Sequence, residues 1–390
     1  MIKRCKFIVA LALCLCIFAY DTVSISSDWG GGSIAWADTS FYGEALELSG
    51  QLGLIFYLQN GNTQPSGTMT FTITPGNTTH MLQNPTETRT ETIDGANVTL
   101  YGYMCPVTSI EMADTITASF TPSSGTVNSR TNSVQGYLNT IINDNTETYK
   151  TNLKNLAKAI KAYGYYAQQT LSETKGWTKG TDHTQIGAPT DTNGAYDAIT
   201  ASSTAVTTYA SDAMTLTYKG TGSEPTTAPT VGLTLDLDAK TTLHVILPEG
   251  SYVNSDTDVT TDNANLINMK ESTSTYVKDM ASRITITPAD TTNRATSTVD
   301  IAFSDISAHE LADKFVIPVT ILVDSTRTAY EIEVSAMSYV HSVLSQSNTD
   351  LNTKVEEITT DDQAGNLKQA VIALANYYNA TVAYRANPDN

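Results

Sequence analysis

The sequence predicts an α+β chain, mainly β: two related antiparallel β-sandwich-like halves, each closed by a C-terminal helical pair. Three observations lead there. Apolar residues alternate with period two in the earlier part of each half and recur at helical spacing in its later part. Clusters of Gly, Pro, Asn and Asp separate the alternating runs, as turns between antiparallel strands do. Five stretches of the first half also recur, in the same order, in the second. Strands first and helices last is not the βαβ alternation that a parallel doubly wound sheet needs.

In the first half, 38–171, the strand pattern runs through Leu52, Leu54, Phe56 and Leu58, then Met69, Phe71 and Ile73, then Val98 and Leu100, and ends at Ile116, Ala118 and Phe120. Each such strand is expected to bury one face. The period then changes, with Val134, Tyr137, Leu138 and Ile141 on one helical face and Leu153, Leu156, Ile160, Tyr163 and Ala167 on another. Residues 172–214, rich in Thr, Ser, Ala and Gly, match neither half and read as the connection, with room for a short helix in 195–213. The second half, 215–390, repeats the order, with strand patterns at 233–237, 243–247, 299–303 and 319–323 and helical ones at 336–344 and 367–381.

Laid side by side, the halves place Leu48, Leu54 and Leu58 on Leu237, Leu243 and Leu247, and "TFTITP" (70–75) on "RITITP" (283–288). "EMAD" (111–114) falls on "ELAD" (310–313), "VQGYLNTII" (134–142) on "AMSYVHSVL" (336–344), and "NLKNLAKAIKAY" (152–163) on "NLKQAVIALANY" (366–377). The Glu-x-Ala-Asp pair leads into a strand in both halves, so its carboxylates are expected to cap backbone N–H groups of a turn, as shared fold geometry.

The first residues read as an export signal. Lys3, Arg4 and Lys6 form a basic start, and the apolar run 7–19 is too short for a comfortable membrane span. Ala35-Trp36-Ala37 offers a small-x-small cleavage pattern, making 1–37 the signal peptide; a lipoprotein signal at Cys14 or Cys16 lacks the small residue it wants. Cleavage leaves a chain one unit more negative than the −18 of the whole, because three cations and two carboxylates depart. Few, scattered Lys and Arg among twice as many carboxylates argue against a nucleic-acid partner. Cys105 alone survives cleavage, so no intrachain disulfide forms and stability rests on core burial. Secretion without disulfides fits a bacterium better than an animal.

The string "EMADTITASF…VNSRTNSVQGYLNTIIN…LKNLAKAIKAYGYYAQ", with "TLDLDAKTTLHVIL" and "SYVHSVL…LKQAVIALANYYNATVAY", resembles a two-half module of secreted and surface proteins of gut Clostridia. The resemblance covers about 45 to 390. Members of that family often carry leucine-rich repeats, immunoglobulin-like domains or a dockerin, which implies a non-catalytic role outside a Gram-positive-type cell, secreted or at its surface. This chain departs from that setting in having no dockerin loop, sortase motif or C-terminal apolar tail.

Candidate chemistry is sparse. The five histidines, His80, His183, His244, His309 and His341, form no His-Glu-x-x-His pattern, which argues against a zinc site. "SETK" (172–175) has Ser-x-x-Lys spacing without its companion motifs. Asp256, Asp258 and Asp262 share one loop and are the candidate ligands for a hard cation such as calcium; the sharp-turn glycine and closing glutamate are missing, so a solvated loop is the plainer reading. No other cofactor is expected. Trp177, Tyr165 and Tyr378 are the candidate ligand-binding aromatics, since an exposed ring can stack on a sugar. The expected function is a secreted, non-catalytic interaction module with a glycan or cell-envelope partner. The alternatives are a glycoside-hydrolase-type enzyme with a site between the halves and a structural spacer or assembly subunit.

Overall fold

A computed structural model describes residues 23–25, 39–47, 52–93, 96–145, 150–175, 178–189, 212–236, 241–254, 284–287, 297–304, 306–355 and 358–388. Seventeen strands and five α-helices lie in these residues, and the strands form four antiparallel sheets. The chain divides into two compact units with the boundary after Thr190. The 1–37 segment lies outside the described residues except for β1 (Val23–Ile25), which pairs with Glu44 to Leu46 at a sheet edge. Cleavage after Ala37 would remove that edge strand.

The first unit contains β2 (Ser40–Glu47), β3 (Gly53–Gln59), β4 (Gly67–Thr74), β5 (Thr78–Leu82), β6 (Glu87–Ile93), β7 (Ala96–Pro106), β8 (Thr115–Pro122) and β9 (Asn128–Asn132), then α1 (Val134–Ile142) and α2 (Thr151–Lys175). One sheet has the order β1-β2-β3-β7-β6 and the other β5-β4-β8-β9. Register aligns Leu54, Phe56 and Leu58 with Cys105, Tyr103 and Tyr101, and Met69, Phe71 and Ile73 with Phe120, Ala118 and Ile116. All twelve are buried, and the ring pairs Phe56–Phe71 (5.7 Å between centroids) and Tyr103–Phe120 (6.1 Å) join the two sheets. Cys105 is part of this core, where burial pushes its thiol up and keeps it protonated.

β3 departs from the half-buried expectation. "GLIFYL" is a continuous apolar run, and such runs suit a strand covered on both faces. Ile55 and Tyr57, on the face opposite Leu54 and Phe56, pack in a second buried cluster with Ala45, Val98 and Leu100. Val98 and Leu100 therefore belong to that cluster, and not to the one joining the sheets.

The second unit contains β10 (Thr215–Tyr218), β11 (Gly232–Asp236), β12 (Thr242–Leu247), β13 (Tyr252–Val253), β14 (Ile284–Thr287), β15 (Val299–Phe303), β16 (Phe315–Val323) and β17 (Thr326–Val334). Helices α3 (Ala336–Ser345), α4 (Asn348–Lys354) and α5 (Asp361–Ala386) follow. The short α4 adds to the expected pair. Its sheets run β11-β12-β15-β14 and β10-β17-β16-β13, and Phe303 stacks on Phe315 across them at 4.4 Å.

The strand orders correspond. β2-β3-β7-β6 matches β11-β12-β15-β14, and β4-β8-β9 matches β13-β16-β17; β5 extends one edge in the first unit and β10 the opposite edge in the second. Register corresponds as well: Leu54 faces Cys105 where Leu243 faces Phe303, and Leu58 faces Tyr101 where Leu247 faces Val299. The "TFTITP"/"RITITP" match does not follow this scheme. Its first member is β4, whose counterpart by sheet order is β13, whereas its second is β14, the counterpart of β6. Short alternating Thr/Ile runs recur wherever a strand has one buried face, so this match reflects strand periodicity alone.

Candidate functional site

The repeated Glu-x-Ala-Asp sequence sits on two short 3-10 turns, Ser109–Glu111 and Ala308–Glu310. Each glutamate is the third residue of its turn and reaches back to the residue before it. Glu111 Oε2 accepts from the Thr108 N–H (2.9 Å) and hydroxyl (2.8 Å), and Glu310 Oε2 accepts from the Ser307 N–H (3.0 Å) and hydroxyl. Both are capping boxes. The carbonyl after each glutamate then receives the next helix: Met112 O accepts from the Gln135 N–H (2.7 Å) and Leu311 O from the Met337 N–H (2.8 Å). Ser133 caps α1 through the Gly136 N–H, and Ser335 caps α3 through the Ser338 N–H. The turn capping expected of these glutamates is therefore present in both units.

The aspartates differ. Asp114 is fully buried, and a buried carboxylate needs partners. It accepts from His183 Nδ1–H at 2.8 Å and from the Thr184 N–H at 2.6 Å. The hydrogen bond to Asp114 raises the His183 pKa, the charges of Asp114, Glu111 and Asp182 add to it, and burial opposes them. Around this pair residues 178–189 lie as a strap on the first unit. The Gln168 amide donates to Ile110 O (3.1 Å) and Thr184 O (2.9 Å) and accepts from the Ile186 N–H (2.9 Å). The Ile186 side chain is fully buried, and Gln135 Oε1 accepts from the Gly187 N–H (2.8 Å). The connection expected at 172–214 is thus divided: α2 continues to Lys175 and 178–189 belongs to the first unit, while the helix expected in 195–213 falls almost wholly outside the described residues.

Gly164 makes the fit beneath this strap. A Cβ there would run into Met112 Sδ and stand 3.1 Å from the Ser109 carbonyl oxygen, so only glycine lets α2 lie this close to the turn. The repeat alignment puts Tyr378 at the corresponding place in α5. Burial chiefly, with the charges of Asp313 and Asp212, raises the Tyr378 hydroxyl. Asp313 itself is only half-buried.

Two further polar groups carry histidine. His244 on β12 meets both oxygens of Asp300 on β15 at 3.0 Å, a cross-strand pair that raises its pKa. Ser307, His309 and Glu310 bring together the residue types of a hydrolytic triad, with Ser307 Oγ 3.0 Å from His309 Nδ1. Here, however, the serine is fully buried and its oxygen serves the capping box, so it is not presented to a substrate.

Of the aromatics singled out from sequence, Tyr165 and Tyr378 are half-buried, and Tyr165 meets Tyr166 edge to face at 5.2 Å. They belong to different units. Trp177 and the Asp256, Asp258 and Asp262 loop lie outside the described residues. Among the described residues no group of three His, Cys, Asp or Glu side chains could hold a metal ion, and no helix is long and apolar enough to cross a membrane. The Asp114–His183 clasp escaped the sequence reading because its members stand 69 positions apart. No family model, curated protein or solved structure matches the chain.

Proposed function

We propose that this is a secreted, non-catalytic interaction protein of a Gram-positive-type bacterium, built from two sandwich-like units of one design and binding glycan or cell-envelope material. One observation carries the non-catalytic reading: among the described residues, the carboxylate and histidine groups set out above are engaged in closing turns, strands or a strap. Glu111 and Glu310 cap turns, Asp114 and His183 clasp residues 178–189, and Ser307 is enclosed in its own capping box. Catalytic acids and bases need to face a substrate. The matching strand orders and capping turns support one design for the two units.

The test is retention of the secreted chain on insoluble polysaccharides, mucin and bacterial cell walls, with released sugars assayed in the same tubes and a chelator in a parallel set. Retention without sugar release is the expected result. Sugar release would replace this reading with a hydrolase, and silence on every matrix would leave a structural spacer or a protein partner.

A further inference from the structure

Resting on that reading, we propose that the solvent face of the β5-β4-β8-β9 sheet is its binding platform, and that the ligand is a neutral, insoluble polysaccharide lying flat across the strands. Register sets the face out in rows. Thr79, Thr72, Thr117 and Thr131 stand side by side on four successive strands, and Met81, Thr70, Ser119 and Ser129 form the next row. Thr68 pairs with Thr121 beyond them and Thr74 with Thr115 on the other side. Strand geometry spaces such side chains about 4.8 Å across the sheet and about 6.8 Å along it. Each hydroxyl is both donor and acceptor, so the face is a grid of hydrogen-bonding groups matched in kind to the hydroxyls of a sugar polymer.

Charge selects the ligand class. The chain carries 40 carboxylates against 22 cationic side chains, yet these rows contain no ionisable group. The two ionisable residues of the same four strands, His80 and Arg130, fall at the opposite parity, and Arg130 is ion-paired with Glu44. The preference of threonine for strands does not account for this, because the corresponding sheet of the second unit is charged at the same parity. There Glu331 and Glu333 pair with Lys219 (3.3 Å) and Lys314 (2.9 Å). An anionic polymer would be repelled by the chain as a whole, and a cationic one would find no carboxylate on this face.

Two apolar side chains complete the platform. Only three large hydrophobic side chains among the described residues are exposed, and two of them border this grid. Met81, 67 % exposed, ends the second row on the edge strand; Val127, 56 % exposed, precedes β9 at the parity of Ser129 and Thr131. They offer contacts to the C–H faces of sugar rings.

The experiment is a depletion isotherm of the secreted chain on microcrystalline cellulose and chitin, with carboxymethyl-cellulose gel as the anionic comparison. The double variant Thr72→Val/Thr117→Val keeps shape and β-branching while removing two central hydroxyls, and is expected to bind about tenfold more weakly at unchanged Tm. Met81→Glu, on an exposed edge, gives a second reading that folding cannot confuse. Glu331→Gln/Glu333→Gln is expected to change nothing, and raising the salt concentration is expected to leave binding intact. If the wild type binds a neutral matrix and both grid variants bind equally well, the platform is wrong while the binding function stands. Binding abolished by salt, or found only on the charged gel, overturns the neutral-polymer assignment. Retention on mucin or cell walls with none on cellulose or chitin does the same without touching the broader reading.

Discussion

The two Glu-x-Ala-Asp turns share three residues of four and diverge in what the last one does. In both units the glutamate closes a capping box and the next carbonyl receives a helix. In the first unit Asp114 is sealed from water and holds a strap through His183 and Thr184, over a helix that glycine allows to come close. In the second, Asp313 is half-buried and a tyrosine stands where that glycine was. The glutamate is thus part of the common fold, whereas the aspartate has been used differently once the surroundings diverged. Repetition of a motif identifies what the fold needs; burial identifies what one copy has added.

Substitutions can break this comparison. The largest effect is expected at Asp114: Asp114→Ala empties a fully buried carboxylate position and removes this acceptor from the half-buried His183 ring and the Thr184 N–H, which should cost about 3 kcal/mol, whereas Asp313→Ala should cost less than about 1 kcal/mol. Chemical denaturation of the two variants measures both, and equal losses would mean that the aspartates are equivalent after all. Next comes Gly164→Ala, where overpacking against Met112 and the Ser109 carbonyl is expected to cost about 2 kcal/mol. Its counterpart control is Gly365→Ala in α5, where an added methyl meets nothing within 4 Å and higher helix propensity should stabilise by up to about 1 kcal/mol. Opposite signs for two helical Gly→Ala changes would tie the Gly164 requirement to the turn it packs on. Glu111→Ala and Glu310→Ala each remove one capping box and should cost about 1 kcal/mol apiece. Markedly unequal values would show that the common element is less common than its geometry suggests.

How far the sequence could be read follows the same line. Strands that bury one apolar face, such as β4, β8, β12 and β15, announce themselves by alternation, and the helices by their period. β6 and β9 do not, because "ETRTETI" has a single apolar residue, at its end, and "NSRTN" has none. β9 is held at the sheet edge through Arg130 and Asn132, both hydrogen-bonded to the buried Glu44, a pairing that hydrophobicity cannot signal. The capping role of the glutamates was legible in the recurrence of Glu-x-Ala-Asp ahead of a strand in both halves; the partners, Thr108 for Glu111 and Ser307 for Glu310, come from the structure. The clasp was not, since Asp114 and His183 are brought together only by tertiary folding. The hydroxyl grid lay in plain sight as "TMTFTIT" and "TITASFT", but register alone places those threonines side by side.

The smallest effect concerns pH and tests whether the clasp is ionic. Asp114, Glu111 and Asp182 supply the negative charges acting on His183, and the folded state raises the imidazole pKa above its usual value near 6.5. A group with a raised folded pKa contributes its full stabilisation below the unfolded value and loses it as pH climbs through the folded one. Wild type should therefore exceed His183→Gln in Tm by most below the ordinary imidazole value near 6.5, with the margin narrowing as pH rises above it through the raised folded-state pKa. What remains at high pH is the neutral hydrogen bond from Nδ1–H, which is worth less than its charge-assisted form. A margin independent of pH would mean that His183 holds the strap by shape and a neutral hydrogen bond. A margin that grows with pH would reverse the sign of the linkage and remove the ion pair from the account. Cleavage at 178–189 by a protease, followed at the same pH values, provides the local readout, because the strap should open before the unit that carries it unfolds.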